Sequence, residues 1–359
     1  MYKQFYIFLL MSANKKKHAT MSYYSIASTT ISINKLICRK SNHYLKTIIS
    51  PSLYYYWTEI MLQCRKIPNW VQITMFFHPY GWLYYNIPQQ HHCFTKIGNT
   101  YTPVFYEILE TISIMNLHFE NIYKCGGIHF GENSEYIKQA FLHNYPSQQQ
   151  NHICYPGIFQ NSFQHILTNH SHIDLITLSS NEKNEYSYTI DILKQMCIGL
   201  SIQKTKGVMI FKIHSVFHSL TIDLLYLVCS LYDKVYITKP LCSNPCEFSK
   251  YIVCKGFKKQ KKKENMVQYL QCLYFNLCNC TTEEYVERIL SITIPIYFLN
   301  KLEELNSIFG QPCLEHVHNV LINHGDIRTD KIKQDLYKCH EWCTKHCVIP
   351  YEHSTILKI

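Results

Sequence analysis

The sequence is poor in glycine, alanine and charged residues, and these shortages exclude several classes of protein. Glycine accounts for 11 of the 359 residues, and charged residues make up 17% of the chain. Hydrophobic residues make up 47%, a share that excludes an intrinsically disordered polymer and is typical of a globular protein. The chain is long enough for one large domain with an appendage, or for two domains that each bury a core.

Long apolar runs are also missing. No run approaches the length of a membrane-spanning helix, so we expect no association with a membrane. The first apolar stretch, Phe5–Met11, has no substantial charged segment before it and no small-residue cleavage site after it. A secretory signal peptide is therefore not expected. We predict a cytoplasmic protein, located in the host cytoplasm if the source is a virus.

The sequence contains no motif of the common hydrolase, nucleotide-binding or metalloprotease types. It has no Ser-His-Asp order, no Walker loop and no paired His-Glu metal motif. The 17 cysteines are scattered through apolar, periodic segments of a long chain, whereas disulfide scaffolds are short and loop-rich. Reduced thiols are therefore the better interpretation.

What the sequence does contain is an excess of positive charge. Lys and Arg number 35 against 25 Asp and Glu, for a formal charge of +10. This balance favours a polyanionic partner such as RNA. The abundance of Lys, Tyr, Ile and Asn also suits an AT-rich genome, as in a large DNA virus, a parasite or a symbiont. Both explanations of the lysine content stay open.

A cluster of lysines follows the central part of the chain. Lys258, Lys259 and Lys261–Lys263 place five lysines within six residues. A solvated linker explains such a cluster, and so does a surface that contacts phosphate groups. The sequence does not decide between them.

The pattern of apolar residues divides the chain into three parts. Residues 1–95 are rich in Tyr, Trp and Pro and show no clear period, so their structure stays uncertain. Residues 96–258 alternate between strand and helix patterns, and residues 264–359 form a C-terminal helical region. The alternation predicts an α/β fold, with helices on both faces of a mostly parallel sheet.

Individual elements follow from the spacing of apolar residues. In the central part, the spacing predicts helices over Thr102–Met115, Ser134–His143, Tyr188–Ile202 and Leu220–Tyr232. Apolar runs there predict strands over Ile122–Cys125, Ile173–Leu178, Val208–Ile213, Lys234–Thr238 and Tyr251–Cys254. The C-terminal part has amphipathic patterns over Val267–Leu277, Glu283–Phe298, Asn300–Phe309 and Ile327–Lys345.

The stretch Gly207–Lys258 resembles part of a known family. It runs Gly-Val-Met-Ile-Phe-Lys212, then a long helix, then Lys239-Pro-Leu-Cys-Ser243-Asn-Pro, then Tyr251-Ile-Val-Cys. Upstream, Cys125-Gly-Gly is followed by Ser134-Glu-Tyr. Over roughly residues 96–258 the chain resembles the FtsJ-like RNA ribose 2′-O-methyltransferases. Among them it looks most like the enzymes that methylate mRNA caps, including those of large cytoplasmic DNA viruses.

The resemblance implies a fold, a cofactor and a catalytic group. It implies a seven-stranded Rossmann-like sheet with S-adenosylmethionine across the carboxyl ends of its strands, and RNA, in particular capped mRNA, as the partner. It also implies a Lys-Asp-Lys-Glu tetrad whose central Lys acts on the ribose 2′-hydroxyl. That Lys carries over to Lys212. The Asp position holds Ser179, the Glu position holds Ser249 with Glu247 two residues earlier, and the first Lys position falls on Glu107.

The cofactor loop implied by the resemblance departs from the family pattern. It would use Gly126, Gly127 and Gly131 together with Ser134 and Glu135. Glycines in such a loop let the backbone approach a ligand closely. The segment before Ser134 is longer and bulkier than in the family, and no acidic residue for the cofactor's ribose is identifiable by spacing. Whether S-adenosylmethionine is still bound therefore stays open.

Two clusters contain the residue types of zinc ligands. They are Cys339, His340, Cys343, His346 and Cys347 in one, and His91, His92 and Cys93 in the other. One straight helix rarely supplies four ligands, and the nearest second pair is Cys278 and Cys280. We therefore favour buried helix thiols and predict no metal site.

Three interpretations of the function remain. We favour a catalytically impaired member of the cap methyltransferase family, which would act by binding RNA or a protein partner. The alternative is an active RNA 2′-O-methyltransferase that uses Lys212 with a compensating carboxylate such as Glu247 or Asp174. The third is an unrelated structural or interaction protein without a Rossmann-like sheet. A carboxylate within hydrogen-bond reach of Lys212 in an open cleft favours activity, whereas Ser179 and Ser249 alone favour impairment.

Overall fold

A computed structural model describes most of the chain. The described residues are 23–43, 46–83, 102–117, 126–146, 151–158, 161–182, 184–260, 262–280, 284–323 and 329–348. The strands are β1 (Tyr24–Ile26), β2 (Leu36–Ser41), β3 (Gly127–Phe130), β4 (His152–Tyr155), β5 (Ile173–Leu178), β6 (Gln203–Ile213), β7 (Tyr232–Thr238), β8 (Lys250–Phe257) and β9 (Tyr285–Leu290).

Seven strands form one sheet in the order β1–β7–β8–β6–β5–β3–β4, and β2 pairs separately with β9. β3 pairs in parallel with β4 and β5, and β5 pairs in parallel with β6. β8 is antiparallel to both of its neighbours, β6 and β7, so these two point the same way. Five of the seven strands, β3 to β7, thus run in one direction. The predicted Rossmann-like α/β sheet is confirmed by this strand order.

The α-helices include those that cover the sheet and others that precede and follow the central strands in sequence. They are α1 (Pro51–Cys64), α2 (Trp70–Phe77), α3 (Pro103–Ile114), α4 (Ser134–Asn144), α5 (Ser162–Asn169), α6 (Glu185–Ile202), α7 (Ser219–Leu231), α8 (Lys263–Cys278), α9 (Ile296–Asn323) and α10 (Thr329–Lys345). Proline opens α1 and α3, where its missing N–H is no loss. Within the described part of the chain, no helix is both long enough and apolar enough to cross a bilayer.

Alternate residues of the central strands face two different helix layers. Ile176 and Met209 belong to a core that also contains the buried side chains of α6, α7 and α8. Leu175 and Ile210 belong to a second core, with the buried side chains of α3, α4 and α10. Successive residues of a strand face opposite sides, so strands buried on both faces are almost continuously apolar. The predicted helix cover on both faces is confirmed.

Most elements predicted for the central part are confirmed, with ends that differ by a few residues. The strand predicted over Ile122–Cys125 lies outside the described residues. The strand that precedes α4 is β3, which starts at Gly127. His129 interrupts its apolar pattern, yet the ring is buried, with Nδ1 2.8 Å from the Thr177 hydroxyl and Nε2 2.8 Å from His152 Nδ1. Because this hydrogen-bonded histidine interrupts the apolar run, the sequence pattern did not predict the strand.

The helix predicted over Glu283–Phe298 is wrong. Residues 285–290 form β9, and α9 begins only at Ile296. Local spacing suits either structure, but Asp223 of α7 accepts hydrogen bonds from the backbone N–H groups of Ile289 and Leu290, at 3.0 and 3.1 Å. A tertiary contact thus fixes the strand. The other three helices predicted for the C-terminal part are confirmed, with Asn300–Phe309 as a segment of the longer α9.

The N-terminal region contributes to both sheets. β1 extends the main sheet by pairing with β7, and β2 pairs with β9. Ile60 and Cys64 of α1 share a buried cluster with Val317 and Val320 of α9. The domain limits at residues 95 and 258 stay a prediction.

Candidate active site

The turn after β3 lies against the end of β5. These strands are neighbours in the sheet although β4 comes between them in the sequence, and such a switch point opens a crevice at the carboxyl ends of the strands. Gly131 has a φ of +90° in this turn, and a Cβ atom there would collide with the carbonyl group of Ser179. Glycine is therefore required for the two loops to approach this closely.

A cleft of about 560 Å³ opens at this switch point, and we call it the first cleft. Its walls come from α6 and from the loops that follow β3, β4 and β5. Three acidic residues, Glu132, Glu182 and Asp191, line it together with one basic residue, Lys194. The excess of negative charge suits a cationic ligand that carries hydroxyl groups.

Of the five residues predicted for the cofactor loop, Gly131 lines the first cleft. Gly126 and Gly127 lie at the amino end of β3, about 13 Å away along a four-residue strand. Gly127 serves packing instead, because a Cβ atom there would collide with the ring of His152. Ser134 is buried and closes the turn by donating its backbone N–H to Gly131 over 2.9 Å. Glu135 lies beside the Cys154 thiol and raises its pKa in addition to the effect of burial.

Lys212 lies near the carboxyl end of β6, opposite Tyr251 of β8. Its Nζ is 2.9 Å from Oε2 of Glu107, and the Tyr251 hydroxyl donates to the same oxygen over 2.7 Å. The side chain of Glu107 is 3% exposed and that of Lys212 is 19% exposed. The structure thus brings together Lys212 and the residue at the predicted first Lys position, which has the opposite charge.

A second carboxylate of α3 holds the loop after β7. Glu110 accepts hydrogen bonds from the backbone N–H groups of Leu241 and Cys242, at 2.9 and 3.0 Å, and from Nε1 of Trp342 at 3.0 Å. Glu107 and Glu110 are three residues apart and so share one helix face. One helix therefore positions both the lysine of β6 and the loop that carries Glu247.

Two carboxylates set the protonation state of Lys212. Burial alone would lower the pKa of its ammonium group, but the charges of Glu107 and Glu247 outweigh that effect and raise the pKa above its ordinary value. The Ser249 hydroxyl donates to Oε2 of Glu247 over 3.1 Å. Ser249, at the predicted Glu position, thereby holds a glutamate two residues away. Lys212 is an ammonium ion at neutral pH.

Ser179 has no role in this charge arrangement. Its hydroxyl donates to the Phe130 carbonyl over 2.8 Å. Its backbone N–H donates to the Gln195 side chain over 3.0 Å, and its carbonyl accepts from that amide over 2.7 Å. Ser179 therefore ties β3, β5 and α6 together and fixes the shape of the switch point.

A second cleft, of about 790 Å³, contains Lys212, Glu247 and Ser249. It shares the loop residues Ser179–Glu182 and Asn184 with the first cleft, so the two clefts meet above that loop. Its outer wall is α1, which contributes Tyr54 and Trp57 among others, and Arg65 directly after α1 also lines it. A ligand in the first cleft and an acceptor in the second would therefore face each other. Sequence patterns did not indicate this wall, because α1 lies in the region without a clear period.

The cysteine cluster near the C-terminus lies in α10 and the turn after it. Cys339 and Cys343 are fully buried, and burial raises the pKa of the Cys343 thiol to about 12. His346 packs on Trp342, with ring centroids 4.3 Å apart. Residues 91–93 lie outside the described residues. In the part that the structure describes, no group of three or more His, Cys, Asp or Glu side chains is placed to hold a metal ion.

Comparison with known sequences finds distant similarity to methyltransferases. No protein-family model matches the chain. Human Cap-specific mRNA (nucleoside-2'-O-)-methyltransferase 1 is 36% identical over 67 residues, which are 19% of this chain and 8% of that protein. A protein of African swine fever virus described as a probable methyltransferase is 29% identical over 151 residues, 40% of this chain and 35% of that protein. The chain therefore spans well under half the length of these relatives.

Comparison with solved structures finds weak overall similarity. Human Methyltransferase-like protein 13 in complex with SAH has a TM-score of 0.27 at 9% identity, over 48% of this chain and 88% of that one. The fibrillarin pre-rRNA processing protein of Methanococcus jannaschii has a TM-score of 0.26 at 14% identity, over 46% and 83%. The assignment of a Rossmann-like fold rests on the strand order described above.

Proposed function

We propose that the protein is an active S-adenosylmethionine-dependent RNA 2′-O-methyltransferase that acts on capped mRNA in the cytoplasm. One observation carries the proposal. Lys212 has a carboxylate at 2.9 Å and faces the second cleft, which adjoins the negatively lined first cleft at the switch point of the sheet. Partial similarity to cap-specific mRNA methyltransferases supports the choice of substrate.

The first cleft fits the cofactor in position and in charge. S-adenosylmethionine is a cation, and when bound it supplies a methyl group that a hydroxyl oxygen attacks while the carbon–sulfur bond breaks. Gly131 lets the backbone approach such a ligand, since any side chain there would strike Ser179. Glu132 and Asp191 would hold the cofactor by accepting hydrogen bonds from its hydroxyl and amino groups.

In the second cleft, Lys212 and Glu247 have complementary roles. The Lys212 ammonium group donates to the ribose 2′-oxygen, and it stabilises the negative charge that develops there as the new bond forms. An ammonium ion has no lone pair, so the proton of the hydroxyl group leaves to another acceptor. The exposed carboxylate of Glu247 lines the same cleft and accepts it.

The impaired interpretation rests on three of the four tetrad positions, since Ser179 and Ser249 replace two acidic residues of the family and Glu107 replaces a lysine. The geometry supplies carboxylates from other positions, Glu107 on α3 and Glu247 beside Ser249. This arrangement favours activity over impairment. The third interpretation, an unrelated protein without a Rossmann-like sheet, does not fit the strand order.

The test combines calorimetric binding of S-adenosylmethionine with methyl transfer to capped RNA. Lys212→Met keeps the length of the side chain and removes its charge. Lys333→Met, at an exposed position on α10, is the matched control. We expect the wild type and the control to bind the cofactor and transfer methyl groups, and Lys212→Met to bind the cofactor with transfer reduced at least about 100-fold.

Two results would overturn the proposal. Absence of cofactor binding by the wild type would leave a methyltransferase-like fold retained for recognition alone. Equal transfer rates for Lys212→Met and Lys333→Met would remove Lys212 from the chemistry.

A further inference from the structure

A lysine-rich surface lies at the end of the sheet opposite the two clefts. It consists of the starts of β6 and β7, the end of β8 and the segment leading into α8, and we call it the lysine edge. The segments 203–206, 232–234 and 255–263 contain nine lysines and one carboxylate. Eight of these lysines lie in the described residues, namely Lys204, Lys206, Lys234, Lys255, Lys258, Lys259, Lys262 and Lys263.

Contacts between these segments make the lysine edge one continuous surface. The Nζ of Lys206 on β6 is 2.7 Å from Asp233 on β7. The Nζ of Lys263, at the start of α8, donates to the carbonyl of Gln203 on β6 over 3.5 Å. The strands β6, β8 and β7 are consecutive in the sheet, so their ends span about 10 Å. The lysines are thus close enough to act on one ligand.

Two of these lysines face each other directly. Lys234 of β7 and Lys255 of β8 are cross-strand partners, an arrangement in which like charges repel. Burial, and after it the charge of Lys234, lowers the pKa of Lys255. Among the described residues, two carboxylates form ion pairs with lysines of the edge: Asp174 pairs with Lys204, and Asp233 pairs with Lys206. Eight ammonium groups against two carboxylates leave a charge that an anionic partner would neutralise.

Aromatic rings adjoin the facing lysines. The Nζ of Lys255 lies 5.6 Å from the ring centroid of Tyr236, and Tyr23 packs edge-on against Tyr236 at 5.3 Å. Tyr23 is 46% exposed, so part of its ring is open to solvent. Lysines for phosphates and, one ring further along β7, an exposed tyrosine for base stacking are the combination that single-stranded nucleic acid binds. This pairing favours RNA over an acidic protein.

We propose that the lysine edge binds the phosphate backbone of single-stranded RNA at a distance from the clefts. Lys206 and Lys212 are six residues apart on β6, so about 20 Å of strand separates the lysine edge from the candidate acceptor. The edge then anchors RNA remote from the nucleotide that enters the second cleft. The inference rests on the proposed function only in taking RNA as the anion.

The test measures binding of a long single-stranded RNA across a range of salt concentrations. The edge variant combines Lys206→Gln, Lys234→Gln, Lys259→Gln and Lys262→Gln, all at exposed positions. The matched control combines Lys35→Gln, Lys66→Gln, Lys333→Gln and Lys345→Gln, which are exposed in other parts of the chain and remove the same charge. Thermal unfolding of both variants checks that the fold is kept.

We expect the edge variant to bind RNA at least about tenfold more weakly at low salt. The slope of log affinity against log salt should fall by about 0.7 for each phosphate group that the variant no longer neutralises. The control should retain the wild-type slope. Equal weakening in both variants, or unchanged binding by the edge variant, would overturn the inference.

Two further measurements separate this inference from the proposed function. S-adenosylmethionine binding, and methyl transfer to a capped RNA too short to reach the lysine edge, should be unchanged in the edge variant. If the wild type shows no cofactor binding while the edge variant loses RNA binding, the methyltransferase proposal fails and the RNA surface stands.

Discussion

The pair formed by Lys212 and Glu107 is expected to be strongly coupled. Nζ and Oε2 are 2.9 Å apart, which corresponds to an attraction of about 6 kcal/mol at an effective dielectric constant of about 20. The cost of removing both groups from water offsets part of that, because their side chains are only 3% and 19% exposed. We expect a net coupling free energy of about 2–3 kcal/mol.

A double-mutant cycle measures this coupling directly. Glu107→Gln keeps the shape of the side chain and an acceptor for the Tyr251 hydroxyl, and Lys212→Met removes the opposite charge. Each single variant leaves one charge without its buried partner, so each should lower the free energy of unfolding by about 3 kcal/mol. The double variant should be less destabilised than the sum of the two.

Urea denaturation of the four proteins at neutral pH gives the coupling as the departure from additivity. A value below about 0.5 kcal/mol would describe a solvent-screened surface pair. That result would refute the conclusion that Glu107 raises the pKa of Lys212 and fixes the position of its ammonium group in the second cleft.

Three further predictions concern the switch point, a buried histidine and the second sheet. Gly131→Ala should lower the free energy of unfolding by about 2 kcal/mol or more, because a positive φ and a collision with Ser179 both oppose a side chain there. Wild-type stability of this variant in urea denaturation would contradict the close approach of the two loops. Burial lowers the pKa of His152 to about 4, so below pH about 6.5 the unfolded chain takes up a proton that the folded protein does not. Between pH 7 and 5 that site should cost about 2 kcal/mol of stability. Burial also lowers the pKa of His78, His129, His316 and His346, so the protein should lose stability over this range even without His152. Denaturation at both pH values should therefore show a loss about 2 kcal/mol smaller in His152→Gln than in the wild type, and an unchanged loss in the exposed-site control His340→Gln. Asp223→Ala removes two hydrogen bonds from the guanidinium group of Arg288 on β9 and two from backbone N–H groups of the same strand. It should lower the free energy of unfolding by about 3 kcal/mol or more and speed amide hydrogen exchange in β9. Unchanged exchange in β9 would contradict the conclusion that a tertiary contact fixes this strand.

Much of the central sheet was predictable because burial on both faces leaves an unmistakable pattern in the sequence. The run Ile173–Leu178 and the helix after Asn184 were found from apolar spacing alone, and the structure confirms both. The prediction failed where polar residues interrupt a core strand, as His129 does in β3. It also failed where a contact distant in sequence selects a strand, as Asp223 does for β9.

The residues of the candidate site also divide into those that the sequence indicated and those that only the structure identified. Lys212 was identifiable because the motifs around it resemble those of the FtsJ-like family, in which a strand of this kind carries the catalytic lysine. Its partner Glu107 was placed only by position along a helix, and nothing in the sequence indicates that α3 brings a carboxylate within 2.9 Å of the lysine. Glu247 was weighed as a shifted replacement for an acidic residue at Ser249, and the 3.1 Å hydrogen bond between the two gives that shift a physical basis.

The sequence by itself determined strands β5 to β8 of the sheet and most of the helices that cover them, because these depend on local periodicity. The position of the lysine followed from the order of elements along the chain. Only the tertiary structure decided which charges surround that lysine. Glu107 is 105 residues away in sequence, and Tyr251 is 144 residues from that glutamate. It also decided that α1 walls the second cleft and that lysines of three strands and one loop form a single edge. Contacts at such separations arise from how the layers pack, and a period of two or of 3.6 residues carries no information about them.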